Sequence, residues 1–296
     1  MNNNLIGTIY ALAAFTSWGL LPIYWKLLKQ VPSTQILAHR ILWACIFVSV
    51  VLLVRGQWGA LKHAIAVKKN RIPILLSTLL ITVNWAIYIW AVNANHVVEA
   101  SMGYYINPLF SVFLGIIVLR ERLDRWQYIA LILAAIGVLI VTVEYGHIPW
   151  IALTLAFCFG LYGLSKKIVP VDSLIGLGLE TLLVTPFCLA YLAVKQYHGT
   201  GAFGTISMTV TLLLICSGVI TALPLLWFAQ AAKKIPLSKV GFIQYVSPTL
   251  MLFLGVIIFK EPFTTVHLVS FGCIWGALIL YSLSHTSFLK GKGFTT

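Results

Sequence analysis

The sequence predicts an all-α integral membrane protein with ten transmembrane helices, arranged as two inverted five-helix repeats. Composition is the first observation: 60% of the 296 residues are apolar, the mean hydropathy is +0.97, and only 9% are charged. A soluble domain carries about 25% charged residues, so soluble folds are excluded. The second observation is a series of long apolar runs, and the third is a similarity between the two halves of the chain.

Ten apolar runs follow one another along the chain, each close to the ~20 residues that a helix needs to cross a bilayer. The predicted helices run Leu5 to Leu28, Ser33 to Val54, Ile72 to Asn93, Ala100 to Leu119, Trp126 to Val143, Trp150 to Ser165, Leu174 to Val194, Met208 to Ala232, Val240 to Phe259 and Val266 to Ser284. Each run is continuous, whereas the strands of a membrane β-barrel alternate between apolar and polar residues. These helices use nearly the whole length, which leaves no room for a nucleotide-hydrolysing domain.

Lysine and arginine are distributed unevenly among the loops. With the N-terminus inside, fifteen of the 20 lie in inside segments, four lie in outside segments, and Arg40 lies within a helix. The inside set is Arg55, Lys62, Lys68, Lys69, Arg71, Arg120, Arg122, Arg125, Lys166, Lys167, Lys233, Lys234, Lys239, Lys290 and Lys292, and the outside set is Lys26, Lys29, Lys195 and Lys260. Since cytoplasmic loops carry the excess, both termini are predicted to be cytoplasmic. The same bias explains the net charge of +13, so no nucleic-acid partner is expected.

The two halves of the chain align at an offset of 140 residues. Seven of the eighteen positions from Tyr104 to Glu121 are identical to their counterparts, which are Tyr245, Pro248, Phe253, Leu254, Gly255, Ile257 and Glu261. The repeats are therefore predicted to span residues 1–146 and 147–296. Because five helices separate equivalent positions, the second repeat enters the membrane from the opposite side. Inverted repeats around a midplane site are typical of secondary transporters.

Two charged residues are predicted to lie within the hydrocarbon, where a charge costs at least ~2.5 kcal/mol. Arg40 lies in the second helix and Glu180 in the seventh, which are counterparts in the two repeats. The functional interpretation is that Arg40 binds a substrate carboxylate or phosphate, while Glu180 binds an ammonium group or carries a coupling proton. The alternative is that Arg40 reaches the outer headgroups, while Glu180 reaches the inner headgroups or caps a neighbouring helix.

Six further residues are candidates for the substrate site: Asn84, Trp85, Tyr104, Asn107, Gln244 and Tyr245. Four of them flank Pro108 and Pro248, which hold the same repeat position and free a backbone carbonyl one turn earlier. Asn84 and Trp85 offer an amide and a stacking surface at mid-helix. The alternative for the prolines is a purely structural kink, with the polar side chains joining neighbouring helices.

No enzyme motif is present by inspection, and neither a cofactor nor a metal is expected. The chain lacks a Gly-rich phosphate loop ending in Lys-Ser/Thr and a His-Glu-x-x-His pair. Its five cysteines lie singly in apolar runs, without paired spacing, and are interpreted as packing residues. The expected partners are a small-molecule substrate and the lipid bilayer.

The sequence also resembles the EamA-type permeases of the drug/metabolite transporter superfamily, and most closely their RarD-type branch, over nearly the whole chain. The segments that carry the resemblance are Trp18-Gly19 with Pro22 and Lys26, His39-Arg40 followed by Trp43, Asn84-Trp85 through Trp90-Ala91-Val92-Asn93, Glu99-Ala100-Ser101 with Gly103-Tyr104 and Ile106-Asn107-Pro108, and Gly241-Phe242 with Gln244-Tyr245 and Pro248-Thr249-Leu250. The resemblance implies a ten-helix permease of two inverted repeats in a bacterial plasma membrane. It implies no particular substrate.

Together these observations predict a secondary-type permease that moves a small polar metabolite by alternating access. An amino acid or related zwitterion is the expected substrate, because one arginine and one glutamate would match its two charges. Two alternatives stay open. One is an exporter of amphipathic drugs, in which Arg40 is structural. The other is a membrane receptor or assembly factor that has kept a permease fold.

Overall fold

The computed structural model describes residues 3–93, 96–258 and 264–284, and within these ranges every regular element is helical. The helices are α1 (Asn3–Leu27), α2 (Ser33–Val54), α3 (Trp58–Ala66), α4 (Lys68–Asn93), α5 (Val97–Ile117), α6 (Arg125–Glu144), α7 (Trp150–Ile168), α8 (Ser173–Tyr197), α9 (Met208–Lys234), α10 (Leu237–Gln244), α11 (Val246–Phe253) and α12 (Thr265–Ser284), with a π-helical turn at Leu254–Ile258. The predicted all-α class is confirmed. Residues Lys260, Glu261, Lys290 and Lys292 lie outside the described residues.

Nine segments of the described chain are long and apolar enough to cross a membrane. They coincide with nine of the ten predicted helices. The remaining predicted span, the fourth, corresponds to the shorter apolar segment Ser101–Ile117 within α5. The protein is thus a multi-pass membrane protein. The short helix α3 was not predicted, and it lies in the connection between α2 and α4.

The predicted ninth helix is interrupted at Tyr245, between α10 and α11. Pro248 has no amide N–H to donate to the carbonyl of Gln244, so the helix is weakened one turn before the proline. Tyr245 keeps helical dihedral angles, with φ −62° and ψ −14°. The equivalent helix of the first half, α5, contains Pro108 and continues past it without interruption.

Helices of the first half pack mainly against helices of the second. The pairs α2–α8, α6–α12 and α5–α10 each join equivalent helices of the two halves. Other pairs occur twice, with the halves exchanged: α1–α9 corresponds to α7–α4, and α1–α11 corresponds to α7–α5. A pseudo-twofold relation between the halves would produce this pattern.

Two glycines allow close approach between helices near the centre of the molecule. A Cβ atom added at Gly218 of α9 would lie 2.3 Å from the carbonyl carbon of Trp43 in α2. One added at Gly19 of α1 would lie 2.8 Å from Cβ of Leu250 in α11. Real Cβ atoms do not approach so closely, so a larger side chain at either position would force the helices apart.

Candidate functional site

A cavity of about 530 Å³ lies among helices of both halves, and small-molecule sites have volumes of about this size. It reaches the surface beside the exposed side chains of Lys26 and Lys29, at the C-terminal end of α1. Six of the eight predicted site residues line it: Arg40, Asn84, Trp85, Tyr104, Asn107 and Gln244. The other two, Glu180 and Tyr245, do not.

Arg40 projects from α2 into this cavity between two tryptophans. Its guanidinium carbon lies 4.4 Å from the ring centroid of Trp85 and 5.7 Å from that of Trp25, both within the range of cation–π interaction. Its Nε is buried and has no hydrogen-bond partner among the described residues. The lining residues of the described chain include no aspartate or glutamate. The charged residues that line the cavity in the described chain are thus Lys26, Lys29 and Arg40, and Arg40 has no described carboxylate within salt-bridge distance.

Three lining residues from other helices carry buried polar atoms. Buried Oδ1 of Asn107 in α5, Oγ1 of Thr221 in α9 and Oγ of Ser247 in α11 have no hydrogen-bond partner among the described residues. Buried polar groups are normally paired, so these atoms are suited to a polar ligand or water. Asn84 uses its amide to join helices, since Nδ2 donates to the carbonyl of Leu155 at 2.9 Å.

Aromatic rings close the end of the cavity away from Lys29. Trp18 contacts Phe15, Phe159 and Phe228 at ring-centroid distances of 5.5, 5.6 and 5.7 Å. Tyr162 stacks on Phe228 at 6.0 Å beyond them. We call these five rings the aromatic floor. It separates the cavity from the end of the molecule where the N-terminus of α1 lies.

Glu180 lies beyond the aromatic floor and pairs with Lys166. The two charged atoms are 2.5 Å apart, and the side chains are 5% and 7% exposed. Glu180 also accepts hydrogen bonds from the hydroxyls of Ser77 and Tyr162. It borders two voids of about 20 and 10 Å³, which are too small for a metabolite.

The expectation that Arg40 and Glu180 share one cavity does not hold in this structure. Lys166 was assigned to a cytoplasmic loop, but α7 extends to Ile168 and brings its ammonium group into contact with α8. A buried carboxylate needs such a partner, because an uncompensated charge at this depth is costly.

Tyr245 is 1% exposed and packs among Val112, Phe242 and Tyr281 rather than in the cavity. It stands at the junction of α10 and α11, while its neighbour Gln244 lines the cavity. Its hydroxyl has no hydrogen-bond partner among the described residues. Tyr245 therefore belongs to the packing between α5, α10 and α12.

The sequence analysis did not select several lining residues, including Phe15, Lys29, Tyr88, Phe159, Thr221 and Met251. One signal was available. Trp18 and Phe159 meet across the aromatic floor and are 141 residues apart, close to the repeat offset. Aromatic residues at equivalent repeat positions could thus have identified the floor.

Comparison with known proteins gives concordant results. The EamA-like transporter family matches this chain twice, at residues 5–143 and 148–283. "Uncharacterized transporter YojE" of Bacillus subtilis (strain 168) is 47% identical over 292 residues, which cover 97% of this chain and 96% of the relative. "Protein RarD" of Escherichia coli (strain K12) is 42% identical over 275 residues, 93% of each chain. The more distant "Chloramphenicol-sensitive protein RarD" of Pseudomonas aeruginosa is 31% identical over 281 residues, 93% of this chain and 92% of its own.

A solved crystal structure of a protein only 16% identical has a TM-score of 0.68 and covers 96% of this chain and 99% of that one. At this identity the likeness concerns the fold alone. The family match in both halves and the RarD relatives establish the assignment that the cavity and helices suggested: the chain belongs to the EamA-like transporter family, as a permease of the RarD type.

Proposed function

We propose that this protein is a secondary-type permease of ten transmembrane helices in two inverted repeats, residues 1–146 and 147–296. It moves a small polar metabolite across the bacterial inner membrane by alternating access, with both termini in the cytoplasm. The offset of 140 residues, the helix pairs that recur when the halves are exchanged, and the double family match support this arrangement.

The observation that carries the proposal is the position of Arg40. A buried guanidinium in a cavity with no described acidic lining residue is suited to an anionic group of a substrate. Trp85, Asn84, Tyr104, Asn107 and Gln244 complete the proposed site. An amino acid or related zwitterion would place its carboxylate on Arg40. Lys166 already neutralises the charge of Glu180. We therefore assign Glu180 to the closed end of the cavity rather than to the substrate site.

Uptake into proteoliposomes tests this proposal. Vesicles with the wild-type protein are incubated with a defined mixture of the twenty amino acids and common carboxylate metabolites, and their contents are measured by mass spectrometry. Arg40→Gln should reduce uptake of the transported solute by about 10- to 100-fold, the value of a lost charged hydrogen bond. The matched control is Arg55→Gln, on an exposed arginine outside the cavity.

Undiminished uptake by Arg40→Gln would contradict the proposed site. If no solute enters wild-type vesicles and a stable protein partner co-purifies, the receptor or assembly-factor alternative is favoured instead.

Export of amphipathic drugs is a second candidate, favoured by the aromatic walls of the cavity and by similarity to "Chloramphenicol-sensitive protein RarD" of Pseudomonas aeruginosa. Competition distinguishes the two functions. Neutral chloramphenicol should leave uptake of a charged metabolite unchanged if Arg40 dominates recognition. Strong competition that persists in Arg40→Gln would favour the drug exporter.

A further inference from the structure

Arg40 and Glu180 are 140 residues apart, the offset that aligns the two halves, but their surroundings differ. Glu180 has Lys166 at 2.5 Å and two hydroxyl donors. Arg40 has no acidic side chain within salt-bridge distance among the described residues, and its neighbours are tryptophan faces. The charge of Glu180 is thus balanced by a described side chain, and the charge of Arg40 is not.

The other charged residues that line the cavity in the described chain are also positive. Lys26 and Lys29 stand where it reaches the surface, and Arg40 lies deeper. A set of like charges around a low-dielectric cavity attracts anions and repels cations. A free ammonium group entering this cavity would meet the cations of Lys29 and Arg40 and no described carboxylate.

The contacts of Arg40 also restrict how a ligand can approach it. Trp85 covers one face of the guanidinium at 4.4 Å, so a ligand would meet the N–H donors at the edge of the guanidinium plane. A carboxylate binds at that edge through two parallel hydrogen bonds. Nε, one of these donors, is buried without a hydrogen-bond partner in the described part of the chain.

The body of the ligand would meet a mainly apolar surface. The rings of Trp18, Trp25, Tyr88 and Phe159 line the cavity beside Arg40. Such surfaces stack on planar groups and also bury aliphatic ones. Hydroxyl or carbonyl groups on the ligand could pair with Asn107, Thr221 and Ser247, whose buried polar atoms lack described partners.

Building on the proposed function, we propose that the substrates are organic anions, recognised through a carboxylate at Arg40, with no ammonium subsite among the described residues. Of the two charged groups of the expected zwitterion, the carboxylate is required for binding and the amino group is dispensable. The charge that would have received the ammonium group, Glu180, is neutralised by Lys166 behind the aromatic floor.

Melting temperatures of the purified full-length protein test this with two matched triads of probes. One triad is 3-phenylpropanoate, phenylalanine and phenethylamine. The other is 4-methylpentanoate, leucine and isopentylamine. Within each triad the body is constant and only the charged groups differ. A ligand that binds the folded state raises the melting temperature in proportion to its saturation.

We expect at least one of the two carboxylates to raise the melting temperature of the wild type by a few degrees, with the matching amine having no effect. The shift should vanish in Arg40→Gln and persist in Arg55→Gln. Arg40→Lys should retain part of it, because the charge remains but the planar donor pair is lost. The melting temperatures without ligand verify that each variant is folded.

Three results would overturn the anion proposal. The first is that each amino acid stabilises the protein more than its carboxylate does. The second is stabilisation by an amine, and the third is the absence of any Arg40-dependent shift in both triads. Uptake of the same probes into proteoliposomes distinguishes failure of the anion proposal from failure of the permease proposal. A protein that transports zwitterions but ignores the carboxylates is still a permease.

Discussion

At the scale of single residues, Glu180 is the most constrained charged group in the described chain. It receives the ammonium of Lys166 at 2.5 Å and the hydroxyl of Tyr162 at 3.2 Å, and Ser77 donates to it as well. These donors come from α4 and α7, so one carboxylate joins three helices beneath the aromatic floor. A buried ion pair of this kind contributes to the specificity of packing more than to net stability.

Glu180→Gln should therefore destabilise the protein by about 3–5 kcal/mol, since it leaves the ammonium of Lys166 buried without its counter-charge. The melting temperature of the purified variant measures this loss. The double variant Glu180→Leu with Lys166→Met removes both charges and should recover most of the stability. Glu144→Gln, on an exposed carboxylate, is the control. A single variant as stable as the wild type would show that the ion pair is dispensable.

At the scale of elements, the side chain of Glu121 joins the connection between α5 and α6 to the start of α10. Its two carboxylate oxygens accept the backbone N–H groups of Leu237 at 2.7 Å and Ser238 at 2.8 Å. Gly115 makes room for this arrangement, because an added Cβ would lie 2.6 Å from the carboxylate. A carboxylate at a helix N-terminus also interacts favourably with the helix dipole.

Lys167 makes the corresponding contacts at the C-terminal end of α9. Its Nζ donates to the carbonyls of Ala232 at 3.2 Å and Ile235 at 2.6 Å, and it lies 4.0 Å from Glu121. Gly7 of α1 packs against Ile235, so this cluster lies at the end of the molecule opposite Lys29. The two side chains thus hold the α9–α10 connection in place where the cavity is closed.

Glu121→Gln should weaken this closed end, because a neutral amide oxygen is a poorer acceptor than a carboxylate and its NH₂ group cannot accept from an amide. Hydrogen bonds to charged groups contribute about 1.5–3 kcal/mol. We expect a maleimide supplied on the side of the α1 N-terminus to label Met251→Cys faster in this variant, with the five native cysteines replaced. Met251 lines the cavity. Equal labelling rates in Glu121→Gln and in the control Glu144→Gln would argue against a role for Glu121 in closure.

At the scale of the whole molecule, the proposed inversion of the repeats has a consequence for sidedness. The connection after α1 and the connection after α7 are equivalent positions in the two halves. Because five spans separate equivalent positions, such connections should face opposite sides of the membrane. A parallel duplication would place them on the same side.

Gln30→Cys and Pro170→Cys test the inversion, since both residues are exposed and they are 140 residues apart. In intact cells, an impermeant maleimide should label the cysteine at position 30 at once and the one at position 170 only after permeabilisation. Cell fractionation and total labelling in detergent control for expression. Labelling of both cysteines from the same side would rule out inverted repeats.

Much of the fold was predictable because a helix in lipid must satisfy its backbone hydrogen bonds locally. Long apolar runs therefore predict the membrane-crossing helices without reference to tertiary contacts. The ends were less predictable: α7 extends beyond Ser165, which changed the role of Lys166. The interruption at Tyr245 was not predicted either, although Pro248 marked a kink in that region.

By itself, the sequence determined that this chain is an all-helical membrane protein with an arginine inside an apolar helix, because apolar length and charge position are local properties. Only the tertiary structure decided which side chains Arg40 and Glu180 meet. Those contacts depend on how α2, α4, α7 and α8 are rotated and packed against one another, which no single helix specifies. The structure therefore placed Arg40 in the cavity between two tryptophans and paired Glu180 with Lys166 beneath it.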